Sequence, residues 1–236
     1  MNALSPSPLL PDERPEPPRR GRFITFEGGE GAGKTTQIRR LADRLAALGI
    51  AATVTREPGG SPRAEAIREY LLSGKAEPLG TDAEAILFAA ARADHVKATI
   101  RPAIEAGRWV LCDRFIDSTR VYQGQAGVAL ELVNALERVA IDGQRPDLTL
   151  ILDIPAEAGL ARADARRGTA GPADRFERES LKVHRRRREA FLSIAMDDTE
   201  RCVVIDADRP PDAVADSIWQ AVAARFVGAG ERQGGG

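Results

Sequence analysis

Apolar positions follow two rhythms along this chain. Short apolar runs at residues 23–27, 51–55, 108–112, 148–153 and 202–206 each stop at a turn or charged residue and read as strands. Between and after them, apolar residues recur three and four apart over 34–48, 62–72, 83–106, 130–141, 156–166, 177–196 and 211–226, and these read as helices. The last opens on proline, which suits a first helical turn because an N–H there would have no partner within the helix. Strands alternating with helices predict a five-stranded parallel sheet flanked by helices on both faces, a three-layer α/β/α domain over residues 21–227. Residues 1–20 are Pro-rich with mixed charge and 228–236 are rich in glycine, so both are expected to be disordered extensions. No internal repeat is apparent.

Composition narrows the partners more than the fold. The 34 Lys and Arg nearly balance 35 Asp and Glu, which leaves no electrostatic ground to expect a nucleic acid partner. A small phosphorylated ligand needs only a local basic pocket. Cys112 and Cys202 each sit in an apolar run, and with two histidines in the chain there is no spacing for a zinc site or a disulfide framework, so both read as reduced core residues. No stretch approaches the roughly 20 apolar residues needed to cross a bilayer, and the first twenty residues lack a signal-peptide core. No membrane partner and a cytoplasmic location are expected.

Candidate chemistry begins where the first strand ends. Gly28-Gly29-Glu30-Gly31-Ala32-Gly33-Lys34-Thr35-Thr36 matches G-x-x-x-x-G-K-[ST] between a strand and an amphipathic helix. In such a loop the glycines let backbone N–H groups turn inward on the phosphates of ATP, the helix N-terminus adds its dipole, and the Lys34 ammonium bridges the β and γ phosphates. Thr35 is expected to ligate Mg²⁺. The bland alternative, a Gly-rich turn before a helix, does not require the lysine and threonine at these positions. The neighbouring glycines do not form G-x-G-x-x-G, which excludes a dinucleotide-binding turn, and the guanine-reading N-K-x-D is absent, which weighs against a GTPase. ATPase, sulfotransferase and kinase readings stay open on the loop alone.

The next two strands end in Thr55-Arg56-Glu57-Pro58-Gly59-Gly60 and Asp113-Arg114-Phe115. Ligands of open α/β sheets sit at the carboxyl ends of the strands, so Lys34, Arg56, Asp113 and Arg114 should converge on one crevice. Further segments are Phe88-Ala89-Ala90-Ala91-Arg92, Asp117-Ser118-Thr119-Arg120-Val121-Tyr122-Gln123-Gly124, Arg145-Pro146-Asp147-Leu148-Thr149 and Asp174-Arg175-Phe176-Glu177. In order and spacing this set resembles the thymidylate kinases, over nearly all of residues 22–225. The resemblance implies the P-loop nucleoside triphosphate hydrolase and nucleoside monophosphate kinase type of fold, ATP-dependent phosphorylation of dTMP to dTDP for dTTP synthesis, Mg²⁺ as cofactor, and a homodimer formed through sheet-flanking helices.

The same resemblance implies roles position by position. Arg56 and Arg114 match the arginines that grip the dTMP phosphate, where a planar fork binds two oxygens as a lysine could not. Asp113 matches the acid beside the metal and acceptor phosphate, positioning Mg²⁺ or its waters. Glu30 matches the acidic loop position facing the acceptor; on bare sequence it reads equally well as a solvated glutamate. Phe88 alone reads as a core residue, but it matches the aromatic that stacks on thymine, and Arg92, four residues on and on the same helical face, matches the arginine donating to a thymine carbonyl. Thr119 matches the residue at the ring edge, Tyr122 the aromatic that crowds the sugar 2′ position, and Gln123 completes the dTMP-binding set.

Residues 162–178 carry Arg162, Arg166, Arg167, Arg175 and Arg178 around a Gly-Thr-Ala-Gly-Pro stretch that interrupts the helical pattern. They read either as an exposed charged loop or as a lid that lays arginines over the ATP phosphates. Small Gly31 stands where some family members place a basic residue, which resembles the bacterial subtype with the catalytic arginine in the lid, here Arg166 or Arg167. Arg185 to Arg188 project about 100° apart on a helix and read mainly as a solvated face. Because the acceptor phosphate, with a second pKa near 6, is already ionised, no general base is needed. The nearest rivals are a kinase for another nucleotide and a deoxynucleoside kinase on the same fold; the latter, acting on a neutral hydroxyl, would need a base, a role open to Glu27 or Glu57. A P-loop regulator with a macromolecular partner is the non-enzymatic alternative.

Overall fold

The computed structural model describes residues 20–167 and 179–227, with the side chain of Arg167 left out. The expected extensions at 1–20 and 228–236 therefore lie outside the described residues except for Arg20, as do residues 168–178 of the expected lid.

Five strands, β1 (Phe23–Glu27), β2 (Ala52–Arg56), β3 (Trp109–Asp113), β4 (Leu148–Asp153) and β5 (Cys202–Asp206), form one sheet in the order β2-β3-β1-β4-β5, every pair parallel. Strand side chains alternate between faces. Ile24, Phe26 and Leu111 pack with Ile38, Leu41, Ile218 and Val222 on one side, while Phe23, Val110 and Cys112 pack with Val96, Ile100, Ile104 and Phe115 on the other. Burial on both faces is why the inner strands β1, β3 and β4 read as nearly continuous apolar runs, whereas the edge strands β2 and β5 are partly open.

Helices α1 (Lys34–Ala47) and α9 (Pro211–Phe226) cover the first face. The opposite side carries α2 (Pro62–Leu72), α3 (Thr81–His95), α4 (Arg101–Glu105), α5 (Ile116–Gln125), α6 (Leu130–Ile141), α7 (Ala156–Arg167) and α8 (Leu181–Asp197), not all of them touching the sheet. Three differences from the sequence reading have physical causes. The helix expected over 83–106 is broken by a π-helical turn at Val96–Ile100, just before Pro102, which has no N–H to continue the ladder. The middle two strands each end one residue later than expected, at Arg56 and Asp113, so both site residues belong to the strand ends themselves. Helix α5 was not expected at all: its sequence IDSTRVYQGQ is poor in helix formers, and it buries polar Asp117, Thr119 and Gln123 where a pattern search looks for apolar residues.

Candidate functional site

β1 lies at the centre of the sheet, with β3 on one side and β4 on the other, which puts its carboxyl end at a topological switch point. The chain leaves Glu27 into the glycine loop and enters α1 at Lys34. Gly31 adopts φ +68°, and a Cβ there would lie 1.8 Å from the Gly159 carbonyl oxygen on α7; a Cβ on Gly159 would meet the Glu30 carbonyl in return. Loop and α7 therefore touch backbone to backbone, and a side chain at Gly31 is sterically excluded. The Lys34 ammonium donates to the Gly28 and Gly29 carbonyls at 3.0 and 2.9 Å. Burial and the neighbouring Arg114 cation lower its pKa, so an arriving anion would relieve a strained charge.

Across the loop, Thr35 Oγ1 donates to Asp113 Oδ2 at 2.9 Å. Arg114 takes φ +69°, a conformation costly for a residue with a Cβ and typical of functional sites. Its guanidinium turns back on the loop: Nη2 donates to Glu30 Oε1 at 2.6 Å, and Nη1 reaches the Gly28 carbonyl and Ser118 Oγ at 3.3 Å. Tyr122 donates its hydroxyl to the same Glu30 oxygen at 2.8 Å. Burial works against a charged Glu30, but Arg114, Lys34 and the Tyr122 hydroxyl outweigh it and hold its pKa at about 2. Glu27, completely buried, shows the opposite balance: desolvation, then the nearby Asp117 carboxylate, push it up to about 7.

Of these groups Glu30, Thr35, Asp113, Arg114, Ser118 and Tyr122 open onto a cavity of about 290 Å³. Every residue expected at the acceptor site lines it: Glu30, Arg56, Phe88, Arg92, Arg114, Thr119, Tyr122 and Gln123, joined by Thr35, Asp113 and Arg166. Phe88 is half-buried, so the core reading of that residue gives way to a wall of the cavity. Arg56, exposed, is held by Glu65 at 3.1 Å. Of the expected lid residues, Arg166 reaches this cavity, whereas Arg162 donates to the Ala207 carbonyl and Asp208. The side chain of Arg167, and Arg175 and Arg178 entirely, are outside the described residues. Thr36 points to solvent.

Sequence reasoning passed over the residues that hold this set in place. Glu57, raised earlier only as a rival base, accepts from Arg92 Nε at 2.7 Å and bonds His95 Nδ1 at 3.0 Å, while His95 Nε2 contacts Thr55 Oγ1 at 2.7 Å. Arg92 Nη2 also donates to the Phe115 carbonyl at 3.0 Å. Glu27 accepts from Phe115 N, Ser118 N and Ser118 Oγ at 2.8, 3.2 and 2.6 Å. Both carboxylates are thus tied into the scaffold, Glu27 completely buried and Glu57 while also lining the cavity. Asp117, completely buried, takes a bidentate grip from Arg201 at 2.6 and 2.9 Å and so fixes the first turn of α5. The one sequence signal for these was charge inside apolar surroundings, since a buried ion needs a partner. The arginine run 185–188 divides: Arg185 and Arg186 are exposed as expected, Arg185 and Arg188 pairing with Glu157 and Asp153, and Arg187 alone is buried, against Tyr122.

A phosphate loop at the switch point of a parallel sheet, opening onto a second pocket walled by arginines and an aromatic ring, defines a P-loop phosphotransferase acting on nucleotides. The family model for thymidylate kinase matches residues 26–218. Over 205 residues the chain is 62% identical to the thymidylate kinase of Nitrobacter winogradskyi, covering 86% of this chain and 89% of that one. It is 61% identical over 210 residues to the thymidylate kinase of Rhodopseudomonas palustris, with 88% and 91% covered. The crystal structure of thymidylate kinase from Ehrlichia chaffeensis superposes with a TM-score of 0.69 at 32% identity, covering 86% of this chain and 99% of that one. The chain belongs to the thymidylate kinase family.

Proposed function

We propose that the chain phosphorylates dTMP to dTDP with ATP as donor, the dTMP lying in the 290 Å³ cavity and the ATP phosphates in the glycine loop. The carrying observation is that one continuous wall joins Thr35 and Asp113 at the loop to Phe88 and Arg92 at the far end. Arg56 and Arg114 bind the acceptor phosphate; Phe88 stacks on thymine, Arg92 and Thr119 read its edge, and Tyr122 with Gln123 takes the sugar. Gly28 to Thr36 cradle the donor, with Lys34 on its β and γ phosphates.

The acceptor oxygen attacks the γ-phosphorus in line, already ionised at neutral pH, so positioning and charge neutralisation carry the rate. Lys34 and Arg114 draw charge from the transferring group, and Arg166 or Arg167 adds the guanidinium that Gly31 cannot. Thr35 and Asp113 fit Mg²⁺, being two oxygen donors side by side of the sort that ion uses while keeping several waters. When bound, the ion supplies charge neutralisation between the β and γ phosphates. Among the described residues no helix is long and apolar enough to cross a membrane, and both thiols are unpaired and buried, which supports a cytoplasmic location. A homodimer is supported by apolar side chains exposed on α3 and α6.

ADP production measured with dTMP, dUMP, dCMP, dGMP and dAMP in parallel tests this reading. One methyl group separates dUMP from dTMP, so dUMP should be used roughly 10- to 200-fold less well but not be silent. Equal kcat/KM for dCMP and dTMP would overturn the base-reading roles of Arg92 and Thr119.

A further inference from the structure

Arg187 stands where the period of α8 calls for an apolar residue. The buried stripe of that helix is His184, Arg187, Phe191 and Ala195, and Arg187 is 4% exposed. It lies across from α5, with its Cζ 4.2 Å from the centroid of the Tyr122 ring. It also pairs with Glu179 at the start of α8, but the Glu179 side chain is 37% accessible and could be met by an arginine in solvent. Tyr122, 9% exposed, is a buried partner where Glu179 is not.

Tyr122 is held at both ends. Its hydroxyl is tied to Glu30 at 2.8 Å, and its ring carries Arg187 at 4.2 Å and Arg114 at 5.1 Å. The hydroxyl bond alone leaves a pivot about which the ring can swing. A planar cation against the ring removes it, and in a desolvated setting such a contact is strong enough to decide a side-chain position.

We propose that Arg187 is a positioning residue for the acceptor sugar: by stacking on Tyr122 it keeps the ring where a 2′-hydroxyl would have to go, and so sets the preference for deoxyribose over ribose nucleotides. The inference rests on the assignment of Tyr122 to the sugar. Arg187 is not among the residues lining the acceptor cavity and acts through the ring, so its loss should be felt in acceptor binding and sugar choice more than in the chemical step.

The experiment compares the parent, Arg187→Met, Arg187→Lys, Tyr122→Leu and Arg187→Met with Tyr122→Leu. Each is assayed with dTMP and with the thymine ribonucleotide monophosphate, and melting temperature and KM for ATP are followed as controls. Methionine on an apolar stripe should fold, since replacing a buried ion by a hydrophobic side chain of similar reach is often neutral. Arg187→Met is expected to raise KM for dTMP by about 5- to 30-fold with kcat within about two-fold, the factor that corresponds to a desolvated cation–π contact. The ribonucleotide, no longer excluded by a fixed ring, should be used about as well as before, so the deoxy-to-ribo ratio of kcat/KM falls by a similar factor. Arg187→Lys should fall between, because an ammonium lacks the flat face. In the Tyr122→Leu background Arg187→Met should add less than about two-fold. If Tyr122→Leu changes the ratio and Arg187→Met does not, or if the two effects multiply independently, the inference is overturned while the sugar assignment stands. If Tyr122→Leu itself leaves the ratio unchanged, the assignment of Tyr122 fails and takes the inference with it.

Discussion

Glu27 closes the central strand out of reach of solvent, and its carboxyl group organises the turn into α5 by accepting from Phe115 N, Ser118 N and Ser118 Oγ. Burial, reinforced by Asp117, raises its pKa from 4.5 to about 7 in the fold. Between those values the folded chain holds a proton that the unfolded chain has released, so the contribution of Glu27 to stability is largest below the unfolded pKa and is lost as pH rises through the window. Glu30, held at about 2, works the other way: its contribution is fully present only above its unfolded value of 4.5 and so is still rising at the lower edge of that window. Glutamine at position 27 can keep the bonds, its carbonyl accepting from both N–H groups and its amide donating to Ser118 Oγ. Glu27→Gln is therefore expected to flatten the fall in melting temperature between about pH 5 and pH 8; parallel curves for parent and variant would contradict the buried-proton account. The residues that line the cavity were legible in the sequence because phosphates and planar bases demand particular side chains at fixed spacings. Arg56, Asp113 and Arg114 could be placed at one crevice from strand ends, and Phe88 and Arg92 from helical phase with the family match, while Lys34 sits in the adjoining glycine loop and does not line the cavity. Glu27, Glu57, His95 and Asp117 were not legible as anchors, because a side chain that bonds a neighbour distant in sequence leaves no local pattern.

At the scale of elements, β1, α2, β4, α6, β5 and α9 begin and end where apolar period and turn chemistry place them. The element that escaped, α5, is the one whose form depends on tertiary contacts: Arg201 clamps Asp117, and Arg120 pairs with Glu137 on α6. Propensity is a weak prior against such packing. Helix α7 follows directly from contact with the glycine loop at Gly159 and carries Arg166 to the cavity. That backbone contact leaves no room for a basic side chain at Gly31, which supports the proposal that Arg166 or Arg167 brings the charge. Guanidinium groups supplied at the transferring phosphoryl are worth roughly 10³–10⁵ in rate. Arg166→Ala with Arg167→Ala is expected to lower kcat by at least about 10³ while dTMP binding, measured at equilibrium without ATP, changes little. A double variant whose kcat stays within a few-fold of the parent at saturating ATP and dTMP would move the missing charge to Arg114 or Arg175.

The whole molecule leaves apolar surface that its own fold does not cover. Val139 is 77% exposed and Leu130 65% exposed on α6, and Ile86 is 50% exposed on α3, the helix packed beside it. A solitary exposed aliphatic is ordinary, but Val139 and Ile86 each stand opposite the buried side of their helix, and α3 and α6 pack together, so these two suit an interface better than a face kept in water. With a net charge of −1, little long-range repulsion opposes self-association. A twofold contact through these helices would let each copy cover the other's patch, the commonest closed symmetry for a soluble chain. It would also brace α3, which carries Phe88 and Arg92 into the acceptor cavity. Sedimentation at micromolar concentration is therefore expected to give about twice the 25.4 kDa chain mass. Ile86→Asp with Val139→Asp should shift the particle to single-chain mass, because burying two carboxylates at an apolar contact costs more than the contact returns. KM for dTMP should then rise while KM for ATP holds, since the glycine loop and α1 lie away from α3 and α6. A parent protein that sediments as a monomer at that concentration, or a double variant that remains a dimer, would show that these side chains do not form the interface.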